Sequence, residues 1–227
     1  MNKALFWDFD GTLVYPDSRW PKMVHKSITD RGYAADFDEV RTFLRAGYTW
    51  HTPEVSYTDK TGDGWWEMLD SHLSGLFTPL GMTAGETAEA CSYLKAQALS
   101  PETYELYDDA LPTLRRCLEL GWKNYVISNN FPELEAVMRG MGIAEFFSGY
   151  TVSAMIGYEK PRPEIFLYAL SGAGFPDKCW MIGDNPNADI LGGRAAGMRT
   201  ILVHRDVPSE ADFACASLAE IPALLEK

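Results

Sequence analysis

Phe6-Trp7-Asp8-Phe9-Asp10-Gly11-Thr12-Leu13-Val14 places two carboxylates two residues apart, where an apolar run gives way to a Gly-Thr turn. Side chains at i and i+2 of an extended segment point the same way. Asp8 and Asp10 are therefore expected to face one pocket at the end of a strand. Two carboxylates so placed raise each other's pKa unless a cation or a division of roles relieves the repulsion, and the pattern points to metal-assisted chemistry on an anion. Read alone, acids ahead of Gly11 are also ordinary turn residues, so the rest of the chain has to decide between the two.

The 227 residues suffice for one full domain and a smaller insert, and an apolar fraction of 46% supplies a sizeable core. A net charge of −12 argues against sequence-independent binding to nucleic acid, which needs clustered Lys and Arg. An acidic protein that takes a phosphate ester must build its positive potential locally, from a metal and a few cationic groups. Cys91, Cys117, Cys179 and Cys215 are widely spaced without a Cys-x-x-Cys pair, and read as reduced, mostly buried thiols. Met1 to Trp7 resembles a short signal start, but Asp8 and Asp10 interrupt it. No segment approaches the roughly 18 to 20 apolar residues of a membrane helix. The expectation is a soluble protein of a reducing, cytoplasmic compartment with no membrane partner; oligomeric state leaves no signal in the sequence.

From about Leu106 onward, short apolar runs alternate with amphipathic stretches of helical length, as in strand-helix units around a parallel sheet. The pattern predicts strands at 123–128, 147–152, 179–183, 200–203 and 213–216, and helices at 108–120, 131–141, 163–173, 187–196 and 218–225. Between about Tyr15 and Glu105 strand-like runs are scarce, and helices are expected at 18–31, 38–46, 65–77 and 85–98. The loop-rich stretch Gly47 to Gly64 reads as a mobile lip over a pocket. The fold expected is α/β: a Rossmann-like parallel sheet flanked by helices, residues 1–14 and 107–227, with an inserted α-helical cap domain at 15–106.

Three more polar signals follow along the chain. Ser128 and Asn129 follow Tyr125-Val126-Ile127, where a hydroxyl and backbone donors at the start of a helix can meet a phosphate oxygen; singly, such residues are turns or caps. Lys160 precedes Pro161, which biases it toward extended backbone and lets its ammonium reach inward; singly, a lysine is a solvated charge. Gly183-Asp184-Asn185 follows Trp180-Met181-Ile182, with Asp189 five residues beyond Asp184.

Taken in order, Asp8-Phe9-Asp10-Gly11-Thr12, Ser128, Lys160-Pro161 and Gly183-Asp184 with Asp189 resemble the four motifs of the haloacid dehalogenase superfamily over nearly the whole chain. The resemblance implies a phosphatase of its helical-cap branch acting on a small-molecule phosphate ester. It implies that Asp8 is the nucleophile that forms an aspartyl-phosphate, and that Asp10 is the acid that protonates the leaving alkoxide and then the base that activates water. Ser128 and Lys160 join them as catalytic groups that meet the phosphoryl oxygens and neutralise charge. Gly11, Thr12 and Asn129 are implied substrate contacts. Mg²⁺ is the implied cofactor, held by Asp8, Asp184 and the backbone carbonyl of Asp10, in keeping with the preference of a hard cation for oxygen. Asn185 and Asp189 either cap the following helix or orient a water on the metal.

Trp20, Trp50, Trp65, Trp66, Arg19, Arg41, Arg45 and His51 supply the helical stretch with pocket-lining candidates, although such residues are more commonly packing tryptophans and surface charges. His25, His51, His72 and His204 have no metal-ligand spacing, and Gly192, Gly193 and Gly197 form no dinucleotide fingerprint. No nicotinamide or flavin is expected. A phosphomutase shares the same intermediate and is not separated by sequence. A 2-haloacid dehalogenase is disfavoured by Asp10, which dehalogenases of the superfamily lack, and a non-catalytic binding protein by the intact carboxylates.

Overall fold

The computed structural model describes residues 1–16, 19–46 and 49–226, and of Trp50 the backbone alone. The expectations placed on Ser18, on Gly47 and on the Trp50 indole lie outside the described residues.

Strand β1 (Lys3–Trp7) is buried on both faces from Ala4 onward, as expected of a central strand covered by helices on each side. The chain then makes four helices, α1 (Arg19–Thr29), α2 (Phe37–Arg45), α3 (Asp63–Phe77) and α4 (Ala84–Ala98), before α5 (Ala110–Glu119) leads into β2 (Lys123–Ser128). There follow α6 (Leu134–Gly140), β3 (Phe147–Val152), α7 (Ser153–Ile156), α8 (Pro163–Gly172), β4 (Lys178–Gly183), α9 (Gly192–Ala195), β5 (Arg199–Val203), β6 (Phe213–Cys215) and α10 (Ile221–Leu225). The six strands form one sheet in the order β3-β2-β1-β4-β5-β6, with every pairing parallel. This is a Rossmann-like α/β fold. Among the described residues no strand lies between Trp7 and Lys123.

The period-two alternation of strand side chains divides the core. Leu5, Trp7, Val126, Ile182 and Ile201 enter a large cluster that runs on into the α1, α3 and α4 side chains Val24, Ile28, Leu69, Leu73 and Leu94. Ala4, Phe6, Tyr125, Ile127 and Met181 face the other way, against Ile165, Phe166 and Ala169 of α8. Local signals fix the helix starts. The Asp36 side chain accepts the Asp38 and Glu39 N–H groups ahead of α2, and Thr83 with Glu86 forms a capping box ahead of α4. The helical stretch leaves and returns at one place, where Val14 bridges Leu106 in antiparallel fashion. Tyr15 N donates to Glu105 O at 2.9 Å there, and Tyr107 N to Leu13 O at 3.0 Å.

Strands 123–128 and 147–152 lie where the pattern predicts, and the helices mostly fall within a few residues of expectation. Three differences have local causes. The helix expected at 187–196 is a π-helical turn, Pro186–Leu191, followed by the short α9; the wider turn carries Asp189 inward to Lys160. The helix expected at 131–141 begins only at Leu134, because Asn130 N–H donates to the Ser153 hydroxyl and its side-chain oxygen receives the Phe131 N–H. The last helix splits into a 3₁₀ turn, Leu218–Glu220, and α10, with Ser217 and Glu220 forming a capping box at the start. The stretch expected as a lip contains a 3₁₀ turn, Thr49–His51. It is hydrogen bonded back to the sheet side through Tyr57 N to Gly157 O (3.0 Å) and Gly62 N to Ala154 O (2.9 Å). All four cysteines are free thiols, and no described helix is long and apolar enough to cross a membrane.

Ile201 is fully buried in β5, and Ile201→Ala is expected to lower the unfolding free energy by about 3 kcal/mol. Urea titration followed by circular dichroism measures this; a loss below about 1 kcal/mol would contradict the packing described.

Candidate active site

In a parallel sheet, the carboxyl ends of neighbouring strands share one edge, and a crevice opens where successive connections run to opposite sides of a strand. Here that strand is β1, between β2 and β4. The registers Trp7↔Val126 and Trp7↔Ile182 bring Asp8, Ser128 and Asp184 to the same rim.

Asp8 continues the line of β1, its N–H donating to Ile182 O at 2.9 Å. Its Oδ1 accepts from Phe9 N–H at 2.7 Å and from the Lys160 ammonium at 2.9 Å. The chain then turns at Gly11 (φ +76°), where a Cβ would lie 2.7 Å from Asp184 Cγ; glycine is required both for the backbone conformation and for the carboxylate beside it. The tight loop behind this turn, with Thr12 and Leu13 N–H both donating to Phe9 O, buries Thr12 completely. The Thr12 carbonyl accepts from His204 Nε2 at 3.2 Å. Thr12, expected as a substrate contact, has its side chain buried behind the turn at Gly11.

Asp10 is held from two sides, Oδ2 by the Asn130 amide at 2.7 Å and Oδ1 by Arg19 Nη2 at 3.1 Å. The Arg19 guanidinium stacks 3.7 Å over the Tyr104 ring. Protein packed behind the Asp10 carboxyl, with Asp8 and Asp184 nearby, pushes its pKa up to about 6 against the opposing pull of Arg19 and Asn130. Its outer side remains open to the cleft, with 46% of the side chain exposed.

Lys160 is buried, its ammonium 2.6 Å from Asp189 Oδ1 and 2.9 Å from Asp8 Oδ1. Burial works against the ammonium, but Asp189 and Asp8 more than reverse this and hold its pKa above the ordinary lysine value. The Lys160–Pro161 peptide bond is cis. Asn129, another expected substrate contact, has its amide group on the lysine backbone: Nδ2 donates to Lys160 O at 3.0 Å and Oδ1 accepts Lys160 N–H at 2.7 Å. It holds the lysine segment, with an edge on the cavity. Ser128 ends β2 and is buried at the rim.

Asn185 caps the π-helical turn, its Oδ1 accepting from Asn187 and Ala188 N–H at 3.0 Å each. Asp189 caps nothing: its Oδ2 accepts Asn185 N–H at 3.0 Å while Oδ1 faces Lys160. Full burial raises the Asp189 pKa in spite of the lysine. Asp184 is also raised, by burial and by Asp8, with Arg205 opposing. Arg205 donates to Asp184 Oδ2 through Nη2 at 2.6 Å and Nε at 3.0 Å.

Carboxylate oxygens of Asp8, Asp184 and Asp189 lie within 4.8 Å of one another. Both Asp189 oxygens are engaged, whereas Asp8 Oδ2 and Asp184 Oδ1 carry none of the hydrogen bonds formed among the described residues. Hard oxygen donors in a cluster of buried acids suit a small divalent cation. The expected metal residues Asp8 and Asp184 therefore fit the group, and the Asp10 side chain points instead to Asn130 and Arg19.

Above these residues opens a cavity of about 300 Å³, walled by Asp10, Gly11, Pro16, Arg19, Trp20, Asn129, Asn130, Asp184 and Arg205. A larger hollow of about 650 Å³ along the β3 edge contains none of the candidate residues. Of the other expected lining residues, Arg41 pairs with Asp38, Arg45 and His51 are exposed, and Trp65 and Trp66 are buried in packing. Trp66 Nε1 donates to Glu133 at 2.9 Å. Sequence reasoning missed Asn130 and Arg205. Asn130 was signalled by the Ser-Asn-Asn run at a strand end, and Arg205 by a cation just past the end of β5.

The chain matches the haloacid dehalogenase-like hydrolase family over residues 2–197. It is 35% identical over 211 residues to the glyceraldehyde 3-phosphate phosphatase of Methanopyrus kandleri, covering 90% of this chain and 85% of that protein. It is 36% identical over 135 residues to the haloacid dehalogenase-like hydrolase domain-containing protein 3 of Danio rerio, covering 56% of this chain and 55% of that one. The match to a phosphoserine phosphatase of Thermus thermophilus, 35% identical over 109 residues, covers 47% and 44%. About half the length of each of these last two relatives is thus spanned. The magnesium-bound HAD-hydrolase YfnB of Bacillus subtilis shares the fold, with a TM-score of 0.77 over 100% of this chain and 99% of that one at 21% identity. The motif residues converge on one rim, and the family match runs through all of them: the chain belongs to the haloacid dehalogenase-like hydrolase family.

Proposed function

We propose that the protein is a Mg²⁺-dependent phosphatase that hydrolyses small phosphate monoesters through an aspartyl-phosphate on Asp8. The observation that carries this reading is the division of labour between two neighbouring acids. Asp8 faces a buried ammonium at 2.9 Å, which stands ready to offset the charge gathered when its carboxylate meets a phosphoryl group. Asp10 is held over the cleft mouth by Asn130 and Arg19 with its outer side open, the position from which a carboxyl can pass a proton to or from a group in the cleft.

Asp8 attacks phosphorus; the P–O bond to the leaving group breaks, and Asp10 delivers its proton to the departing oxygen. In the return step Asp10 takes a proton from water, which attacks the aspartyl-phosphate and frees Asp8 and inorganic phosphate. Lys160 offsets the charge gathered between Asp8 and the phosphoryl oxygens, and it is already in place before reaction. Asp189 and Asn129 fix the lysine head and backbone. Asp8 and Asp184, with the Asp10 carbonyl, would hold Mg²⁺, which when bound supplies Lewis acidity toward a phosphoryl oxygen.

Residues 15–106 act in this reading as a cap over a core of 1–14 and 107–227, since Pro16, Arg19 and Trp20 wall the cavity from that side. The small cavity and relatives named for glyceraldehyde 3-phosphate and phosphoserine support compact metabolites as substrates.

Phosphate release from a panel of sugar phosphates, phosphorylated three-carbon acids and aldehydes, and nucleoside monophosphates is expected with Mg²⁺ and absent with EDTA, with activity restored by added Mg²⁺. Release unaffected by chelation would refute the metal role, and chloride release from a 2-haloacid in chelator would refute the reaction class. Asp8→Asn is expected to fold normally by circular dichroism and to lose at least about a thousandfold in kcat. Asp10→Asn is expected to lose about 10² to 10⁴-fold on alkyl phosphates. With p-nitrophenyl phosphate, whose leaving group needs no proton, it is expected to show a burst of nitrophenol and then slow turnover. Equal losses on both substrates without a burst would remove Asp10 from its acid–base role.

A further inference from the structure

The buried pair Tyr57 and Glu159 takes no part in the chemistry above, yet joins the helical segment to the stretch that carries Lys160. The Tyr57 hydroxyl donates to Glu159 Oε1 at 2.5 Å, and both residues are almost wholly buried. Around them, the loop from Glu54 to Gly62 grips residues 154–162 at four further points. Tyr57 N donates to Gly157 O and Gly62 N to Ala154 O. Arg162 Nη1 donates to Glu54 O at 2.7 Å. Gly157, at φ +81°, lies so close that a Cβ there would stand 2.5 Å from the Thr58 backbone.

Glu159 directly precedes Lys160, and its carbonyl accepts Arg162 N–H at 2.9 Å, closing a turn around the lysine. Asn129 clamps the lysine backbone from the sheet side; Glu159 anchors it from the other. Burial pushes the Glu159 carboxyl up to about 7, with the Tyr57, Ser153 and Thr49 hydroxyls and the Lys160 charge opposing. The same burial keeps the Tyr57 phenol protonated, its pKa well above the ordinary value. The phenol is therefore a standing donor to a carboxyl that water does not reach, and a carboxyl there that loses one of its donors has no solvent to replace it.

We infer that Tyr57 is a positioning residue for Lys160: its hydroxyl, seated on Glu159, fixes the turn that aims the ammonium at Asp8. The helical segment thereby completes the cationic half of the site as well as walling the cavity. The role rests on the phosphatase reading only where it concerns rate; the placement of the ammonium is independent of it.

The test separates the two. In ¹⁵N-labelled protein, the Nζ correlation of Lys160 is identified by its disappearance in Lys160→Arg. Tyr57→Phe is expected to shift or broaden this signal while the other lysines stay in place, and to lower kcat about tenfold with KM changed less than about threefold. Glu159→Gln keeps an acceptor for the Tyr57 hydroxyl and is expected to move the signal less than Tyr57→Phe does. If Tyr57→Phe fails to fold by circular dichroism, Glu159→Leu removes the same bond from the acceptor end and is read in the same way. An unmoved Lys160 signal in the folded variant overturns the inference whatever the rate. A moved signal in a protein that releases no phosphate from any ester supports the positioning role and sinks the catalytic reading alone.

Discussion

One buried ammonium between two buried carboxylates organises this molecule. Lys160, Asp8 and Asp189 meet almost out of contact with water, where an isolated charge is strongly disfavoured and a paired one persists only in good geometry. Each partner comes from a different part of the chain: the end of β1, the turn before α8, and the π-helical turn after β4. The arrangement is satisfied only when the strand order is right, so the ion cluster and the sheet specify one another. Asp184 and Arg205 extend the same balance to the rim, where the arginine is half exposed and the acid looks toward Asp8.

The sheet supplies this cluster through register. With Trp7 level with both Val126 and Ile182, the residues at the carboxyl ends of β1, β2 and β4 arrive within one residue of the same height without long loops to position them. The apolar alternation that buries Phe6 on one face and Trp7 on the other holds that height on both sides. Packing and catalysis are linked here by strand spacing, and the polar residues sit where the ladder runs out and backbone groups become available to them.

Much of this was legible in the sequence, for a physical reason. Buried parallel strands are continuous apolar runs, so Tyr125-Val126-Ile127 and Trp180-Met181-Ile182 announced themselves, and an acid or hydroxyl directly after such a run can hardly avoid the rim. What escaped were partnerships set by tertiary closeness. Nothing local marks Arg205 as a partner of Asp184, Asn129 as a clamp on a lysine backbone, or Tyr57 as a donor to Glu159, since 21 to 102 residues separate the members of these pairs. The π-helical turn was hidden because its helical periodicity is ordinary; the extra residue shows only once Asp189 has to reach inward.

The neck formed by Val14 and Leu106 bears on a different matter, the tolerance of the helical segment to changes of length. One antiparallel bridge, made of two backbone hydrogen bonds, brings its ends together, and the entropy lost in closing a loop grows only with the logarithm of its length, about 0.6 kcal/mol for each doubling. Helices can therefore be lengthened, shortened or exchanged between those ends with little change in the closure entropy. Mutational drift in the segment is limited by the contacts it makes with the sheet side.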